Sequence, residues 1–248
     1  MINILRRIGA VARRVLNQLR HDHRLVALSL IFPLIIIYFV RVLFDALAGP
    51  SFIISVYVVP YSAFLIHFIT IMLTTIVLIR ERTTGTLTRM FVSGYNQIEI
   101  IGGYLLAYTV LATLQSFMIL IELNWLFELG YGIDRLGSLY LVMWLLAVIS
   151  MALGILVSNF ARNEGQALAF TPLVLLSVIL SGIIIPIEKL PTWSQFLSYL
   201  TPLFYANEII QELIAGSHLF DDWAALFRLI AYGLVLLAVV MVTLREKD

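Results

Sequence analysis

The sequence predicts an all-α, polytopic membrane protein with six transmembrane helices, on three observations. Of its 248 residues 61% are hydrophobic and 12% charged, with a mean hydropathy of +1.00, well above the usual apolar share of soluble domains. Six apolar runs reach the roughly 20 residues that cross a ~30 Å hydrocarbon core. In the topology they define, basic residues gather on one side and carboxylates on the other. The expected organisation is one transmembrane domain over residues 1–248: an amphipathic helix in 1–24, five spans and one short polar-flanked helix in 25–187, short re-entrant or interfacial helices in 188–222, and a sixth span with its tail in 223–248.

Within residues 2–20, Ile4, Leu5, Ile8, Val11, Ala12, Val15, Leu16 and Leu19 recur at a helical period, with Arg6, Arg7, Arg13, Arg14 and Arg20 opposite. That pattern predicts an amphipathic helix lying on an anionic membrane surface. A cleaved signal peptide is the competing reading, but the next apolar run starts late, at Leu25, and is too long for an h-region; no small-x-small site follows it. The segment is expected to be retained. His21 and His23 flank Asp22, and at that spacing on a helix they point in different directions, which disfavours a metal site.

The spans are drawn at 25–44, 52–79, 98–121, 136–157, 167–187 and 223–244. Pro33, Pro60 and Pro172 fall inside the first, second and fifth, where each removes a backbone donor and is expected to bend its helix. Gly102-Gly103, at the start of the third, allows close helix approach. With both termini inside, 12 of the 16 lysines and arginines lie on the inner side, among them Arg245 and Lys247, and only Arg41, Arg135, Lys189 and Arg228 fall to the outer half. This asymmetry predicts cytoplasmic termini.

Residues 80–91 are the one long polar interruption of the first half that also carries apolar residues at helical spacing. Leu87, Met90 and Phe91 recur at i, i+3 and i+4 and share a face, while Arg82, Thr86 and Arg89 fall largely on others. Such a helix has a face to offer a partner; a solvated loop whose arginines only follow the positive-inside rule is the competing reading. On the outer side, residues 186–222 are too apolar for an ordinary loop and too broken by proline to span. Two short helices are expected there, Trp193 to Leu200 with Thr192 as N-cap, and Leu203 to about Ala215 ended by Gly216. Packed against the spans through Leu190, Trp193, Leu197, Leu200 and Phe204, with bends at Pro186, Pro191 and Pro202, they would close the outer mouth of a pathway.

The absence of cysteine excludes disulfides, thiolate metal sites and a cysteine nucleophile. The charge distribution argues against nucleic acid as a partner. Neither a Gly-x-Ser-Gly loop nor His-Glu-x-x-His occurs, which disfavours an intramembrane enzyme. An ion-coupled secondary transporter would be expected to carry mid-membrane carboxylates, whereas Glu99 and Glu122 lie toward span ends. His67, near the middle of the second span, is costly there and so a candidate for the substrate path, with Glu122; a neutral histidine bonded between helices and a solvated glutamate are the plainer readings.

Four places then carry a likeness to a known family: Arg20-His21-Asp22 ahead of a first span with Pro33; Arg80-Glu81-Arg82 with Gly85-Thr86-Leu87 after the second; Asn159-Phe160-Ala161-Arg162-Asn163-Glu164 between the fourth and fifth; and Ser181-Gly182 through Pro186, Pro191, Trp193, Pro202 and Tyr205-Ala206. The chain resembles the permease subunits of ABC-2 type exporters, which share the type V exporter fold. Gly94-Tyr95 stands where relatives often carry a proline. The resemblance implies that residues 2–20 form a connecting helix and that residues 83–92 form a coupling helix docking on a separate ATPase, with Glu81, Arg82, Gly85, Thr86, Leu87, Arg89, Met90 and Phe91 at the contact. It further implies two ATPase subunits, a second permease copy or paralogue, and a small amphipathic cargo (a drug, antibiotic or lipid) moved out across the cytoplasmic membrane; lipid-linked polysaccharide and sodium are the alternatives. The sequence lacks Gly-x-x-x-x-Gly-Lys-[Ser/Thr], so ATP and Mg are expected on the partner, with no cofactor in this chain. The outer gate is assigned to Pro186, Pro191, Trp193, Leu197, Pro202 and Phe204.

Overall fold

The computed structural model describes residues 2–47 and 54–243, and every regular element among them is helical. In chain order these are α1 (Ile2–His21), α2 (His23–Leu47), α3 (Ser55–Thr83), α4 (Thr86–Val92), α5 (Gln97–Leu126), α6 (Ile133–Phe160), α7 (Glu164–Leu168), α8 (Thr171–Leu180), a 3-10 turn at Ile187–Lys189, α9 (Thr192–Ser198), α10 (Pro202–Ala215) and α11 (Trp223–Thr243). The expected start of the second span at 52, the end of the sixth at 244, and Arg245 and Lys247 lie outside the described residues.

Five of these helices, α2, α3, α5, α6 and α11, are long and apolar enough to cross a membrane. The expected fifth span, residues 167–187, is not one helix. The chain turns at Ala169 and Phe170 between α7 and α8, and α8 has ten residues, about 15 Å against a ~30 Å core. Pro172 is the reason. It sits in the first turn of α8, where its missing N–H is needed by no bond, instead of inside a continuous helix. Pro33 and Pro60, by contrast, lie inside continuous helices.

α3 and α6 form the central pair, with α5, α10 and α11 packed around α6 and α2 flanking α3 and α5. Apolar residues surround α3 on all sides and most of them are buried, the pattern of a core helix. Two buried polar side chains of α3 bond across to α6: His67 Nδ1 lies 2.7 Å from Ser150 Oγ, and Thr75 Oγ1 lies 3.1 Å from Gly154 O as well as 2.7 Å from Ile71 O of its own helix. α2 instead exposes Leu28, Ile31, Phe32, Ile35 and Phe39.

The apolar stripe of α1 packs on α5 and buries Val11, Ala12 and Val15. Gly102 and Gly103 provide the close approach, toward α1 rather than toward another span. A Cβ on Gly103 would sit 2.5 Å from Val11 Cβ and 3.1 Å from the Ile8 carbonyl oxygen, whereas one on Gly102 would meet only the Ile8 side chain at 3.3 Å. Gly103→Ala is therefore expected to destabilise the chain by roughly 1–3 kcal/mol and Gly102→Ala by less. Thermal unfolding of the two purified variants checks the order.

Candidate functional site

The last turn of α3 carries Arg80, Glu81 and Arg82, and each is tied to a different neighbour. Glu81 is buried, and its two oxygens take Arg14 of α1 at 3.3 and 3.4 Å, while Arg14 also donates to the Tyr104 hydroxyl. Burial works against the charge of Arg14, but Tyr104 and Glu81 outweigh it and hold the guanidinium pKa above its ordinary value. Arg82 donates to the Ser158 carbonyl and to Asn159 Oδ1 at the end of α6, and to Ser158 Oγ at 3.2 Å. Arg80 reaches Asp22 at 3.5 Å and Glu164 at 3.4 Å.

α3 ends at Thr83, and Gly85 then adopts φ +69 as the N-cap of α4. In that left-handed region a residue with a Cβ costs roughly 1–2 kcal/mol, which is why the reversal falls on glycine. The helix is thus shorter than the expected 83–92, starting at Thr86. It ends at Val92, with Gly94 at φ +79 where the family resemblance has its departure from the usual proline. Asn96 and Glu99 then form a reciprocal capping box that starts α5. The Glu99 carboxylate is buried and pairs with Arg7 at 3.2 Å, and Arg7 also donates to the Gly94 carbonyl at 2.7 Å. Both ends of the α3–α4–α5 reversal are therefore strapped to α1 through Arg7 and Arg14, residues two turns apart on one helix face.

Inside this frame α4 is oriented opposite to expectation. Leu87 and Met90 are 5% and 9% exposed and pack into the chain's own core, with Phe91 half-buried beside them. The apolar stripe that seemed free for a partner is what seats the helix. Outward lie Thr88, Arg89, Ser93 and Val92, the last 82% exposed. Thr86 lies within 3.1 Å of Arg89 Nη2.

At the opposite end of the bundle, α9 and α10 match the expected helices within a few residues, although Pro191 rather than Thr192 is the N-cap of α9. Pro202 opens α10 and Gly216 closes it at φ +110. α10 is the packed element: Leu203, Ala206, Ile209, Ile210 and Leu213 are buried against α6, α3 and α11. α9 corrects the expected anchoring. It buries Ser194 and Ser198, and Trp193 (69% exposed), Phe196 (68%) and Leu197 face outward, as does Leu200 just beyond its end. Leu190 and Phe204 are half-buried, and Pro186 and Pro191 are exposed at the bends. Arg228 pairs with Glu208 at 2.8 Å.

His67, 1% exposed between α3 and α6, is the bonded histidine of the plainer reading. Glu122 is half-buried near the C-terminal end of α5. Neither lines the cavity of about 800 Å³ at the ends of α5 and α6, whose walls include Phe117, Asn124, Trp125 and Tyr140. Among the described residues no three His, Asp or Glu side chains converge to hold a metal.

A family model described as the ABC-2 type transporter matches residues 6–214. Over 185 residues the chain is 25% identical to "ABC transporter G family member 20" of Dictyostelium discoideum, covering 72% of this chain and 25% of that protein. It is 26% identical over 159 residues to "Probable multidrug ABC transporter permease YbhR" of Escherichia coli (63% and 43% coverage), and 26% identical over 170 residues to "Linearmycin resistance permease protein LnrN" of Bacillus subtilis (68% and 44%). The match thus spans between a quarter and less than half of the length of these relatives. The match to the family model covers most of the chain, and the chain is a multi-pass membrane protein belonging to the ABC-2 type transporter family, as a permease.

Proposed function

We propose that this permease is driven by a separate ATPase, which docks on α4 and moves an amphipathic drug, antibiotic or lipid-like molecule out across the cytoplasmic membrane. The observation that carries the reading is the seating of α4: a short helix with an exposed face, Thr88, Arg89 and Val92, held by its buried stripe and by ion pairs to α1. A push on such a helix moves its frame instead of being absorbed by a loose loop, and Arg82 carries the displacement to the end of α6. Glu81, Arg82, Gly85, Leu87 and Met90 then set the pose of the docking helix, while Thr86, Arg89 and Phe91 border the contact. Two ATPase subunits, which hold ATP and Mg, and a second permease copy or paralogue complete the assembly; the exposed apolar faces of α2 and α8 are free to meet that copy or lipid. The multidrug and linearmycin-resistance names of the bacterial relatives favour an amphipathic cargo.

Reconstitution with the cognate ATPase tests this reading. Inverted vesicles should accumulate a fluorescent amphipathic amine on adding ATP and should stop when the catalytic glutamate of the ATPase is replaced. Uptake that persists with the disabled ATPase, or that follows an imposed ion gradient, would instead favour a secondary transporter.

A further inference from the structure

A second cavity, of about 540 Å³, opens at the end of the bundle opposite α4, between the end of α8, the Ile187–Lys189 turn, the start of α3 and α10. Its polar groups are unevenly matched. Asn207, 6% exposed, donates Nδ2 to the Ser181 carbonyl at 2.9 Å. A carbonyl can only accept, so this bond fixes the amide orientation and leaves Oδ1 as the free end. Among the described residues Oδ1 meets no donor. Gln211 gives its Nε2 to the Val56 carbonyl at 3.1 Å. Glu208 accepts Arg228 on Oε1 at 2.8 Å, while its Oε2 is buried and, among the described residues, likewise lacks a donor. Each amide nitrogen thus donates to a backbone carbonyl, and two buried acceptors, one on a carboxylate, are left over.

We infer that this cavity binds the protonated primary amine of an amphipathic molecule, with Asn207 Oδ1 and Glu208 Oε2 accepting its N–H groups and Ile183, Ile184 and Phe204 covering its apolar part. A buried acceptor without a donor costs roughly 1–3 kcal/mol, so an ammonium that supplies donors binds where an alcohol or a quaternary amine gains less. The field has the right sign: Glu188 lines the cavity beside Glu208, and Glu212, one turn on, lies in the field of Asp222, Glu208 and Asp221, with Arg228 opposing them. Burial, with Asp222 and Glu208 nearby, raises the Glu212 carboxyl pKa, as expected in a negative field. A divalent cation fits less well, since three acidic or histidine ligands do not converge among the described residues. The site does not depend on the direction of transport, so its failure would leave the permease reading untouched. The same headgroup chemistry belongs to an aminophospholipid or to a free amphipathic amine.

The test uses the full chain in phosphatidylcholine nanodiscs and n-dodecylamine, which is protonated at about pH 7, followed by calorimetric titration. One saturable site should appear, about tenfold tighter than for n-dodecanol or dodecyltrimethylammonium. Glu208→Gln keeps the acceptor facing Arg228 and should weaken binding about tenfold at unchanged melting temperature. Ile184→Trp, which touches none of the polar groups, should block the cavity and abolish the site. Equal affinity for dodecanol, or full affinity in both variants, overturns the assignment. Repeating the titration in phosphatidylethanolamine nanodiscs distinguishes the sources: a several-fold apparent loss identifies the lipid headgroup as the occupant, and an unchanged affinity identifies the free amine.

Discussion

Arg14→Met is expected to destabilise the chain by roughly 3–5 kcal/mol, the usual cost of leaving a buried charge without its partner. The two ends of the Arg14–Glu81 pair are not equivalent, since the Glu81 side chain is 3% exposed and that of Arg14 36%. Removing the arginine strands a carboxylate with little access to water. Glu81→Gln leaves a guanidinium that still reaches solvent and the Tyr104 hydroxyl, and its cost should be smaller, roughly 1–3 kcal/mol. Adding Glu81→Gln to Arg14→Met should therefore recover part of the loss. Denaturant titration of the purified chain reads all three. An Arg14→Met variant as stable as the parent would mean that Glu81 is hydrated and that α1 is not locked to α3.

The second large effect separates the two faces of α4. Leu87→Asp places a charge in the chain's own core and should cost more than about 3 kcal/mol, so that it lowers the amount of folded permease. Val92→Asp changes an exposed position and should leave stability within about 0.5 kcal/mol, while weakening the ATPase about tenfold or more as an interface anchor is lost. Melting temperature and ATPase binding together distinguish these outcomes. If Leu87→Asp folded normally and lost only the ATPase, the stripe of Leu87 and Met90 would be the docking face after all.

Much of this architecture is legible in the sequence. The apolar period of residues 2–20 marks α1, and Pro202 with Gly216 brackets α10 because proline and glycine act through the local backbone. What a helix face touches is not local. Leu87, Met90 and Phe91 show that α4 has an apolar face but not whether it meets the chain or a partner, and Trp193 and Leu197 show the same ambiguity on α9. Residues 167–187 are apolar throughout and so read as one fifth span, and only the position of Pro172 within a turn shows where the helix restarts. The Glu81–Arg14 and Glu99–Arg7 pairs join residues 67 and 92 apart, a distance at which spacing carries no information. Asn96 and Glu99, in capping-box register, were the one available signal that residue 99 is structural.

The most direct measurement of the central claim is site-specific cross-linking in a chain that contains no cysteine. Single cysteines at positions 88, 92 and 221, co-expressed with the cognate ATPase and treated with a short bifunctional thiol reagent, report which end of the bundle the ATPase meets. Positions 88 and 92 should cross-link to the ATPase, and position 221 should instead be labelled by an impermeant reagent from outside intact cells. Absence of a cross-link at 88 and 92, with either position labelled from outside, would contradict α4 as the docking helix.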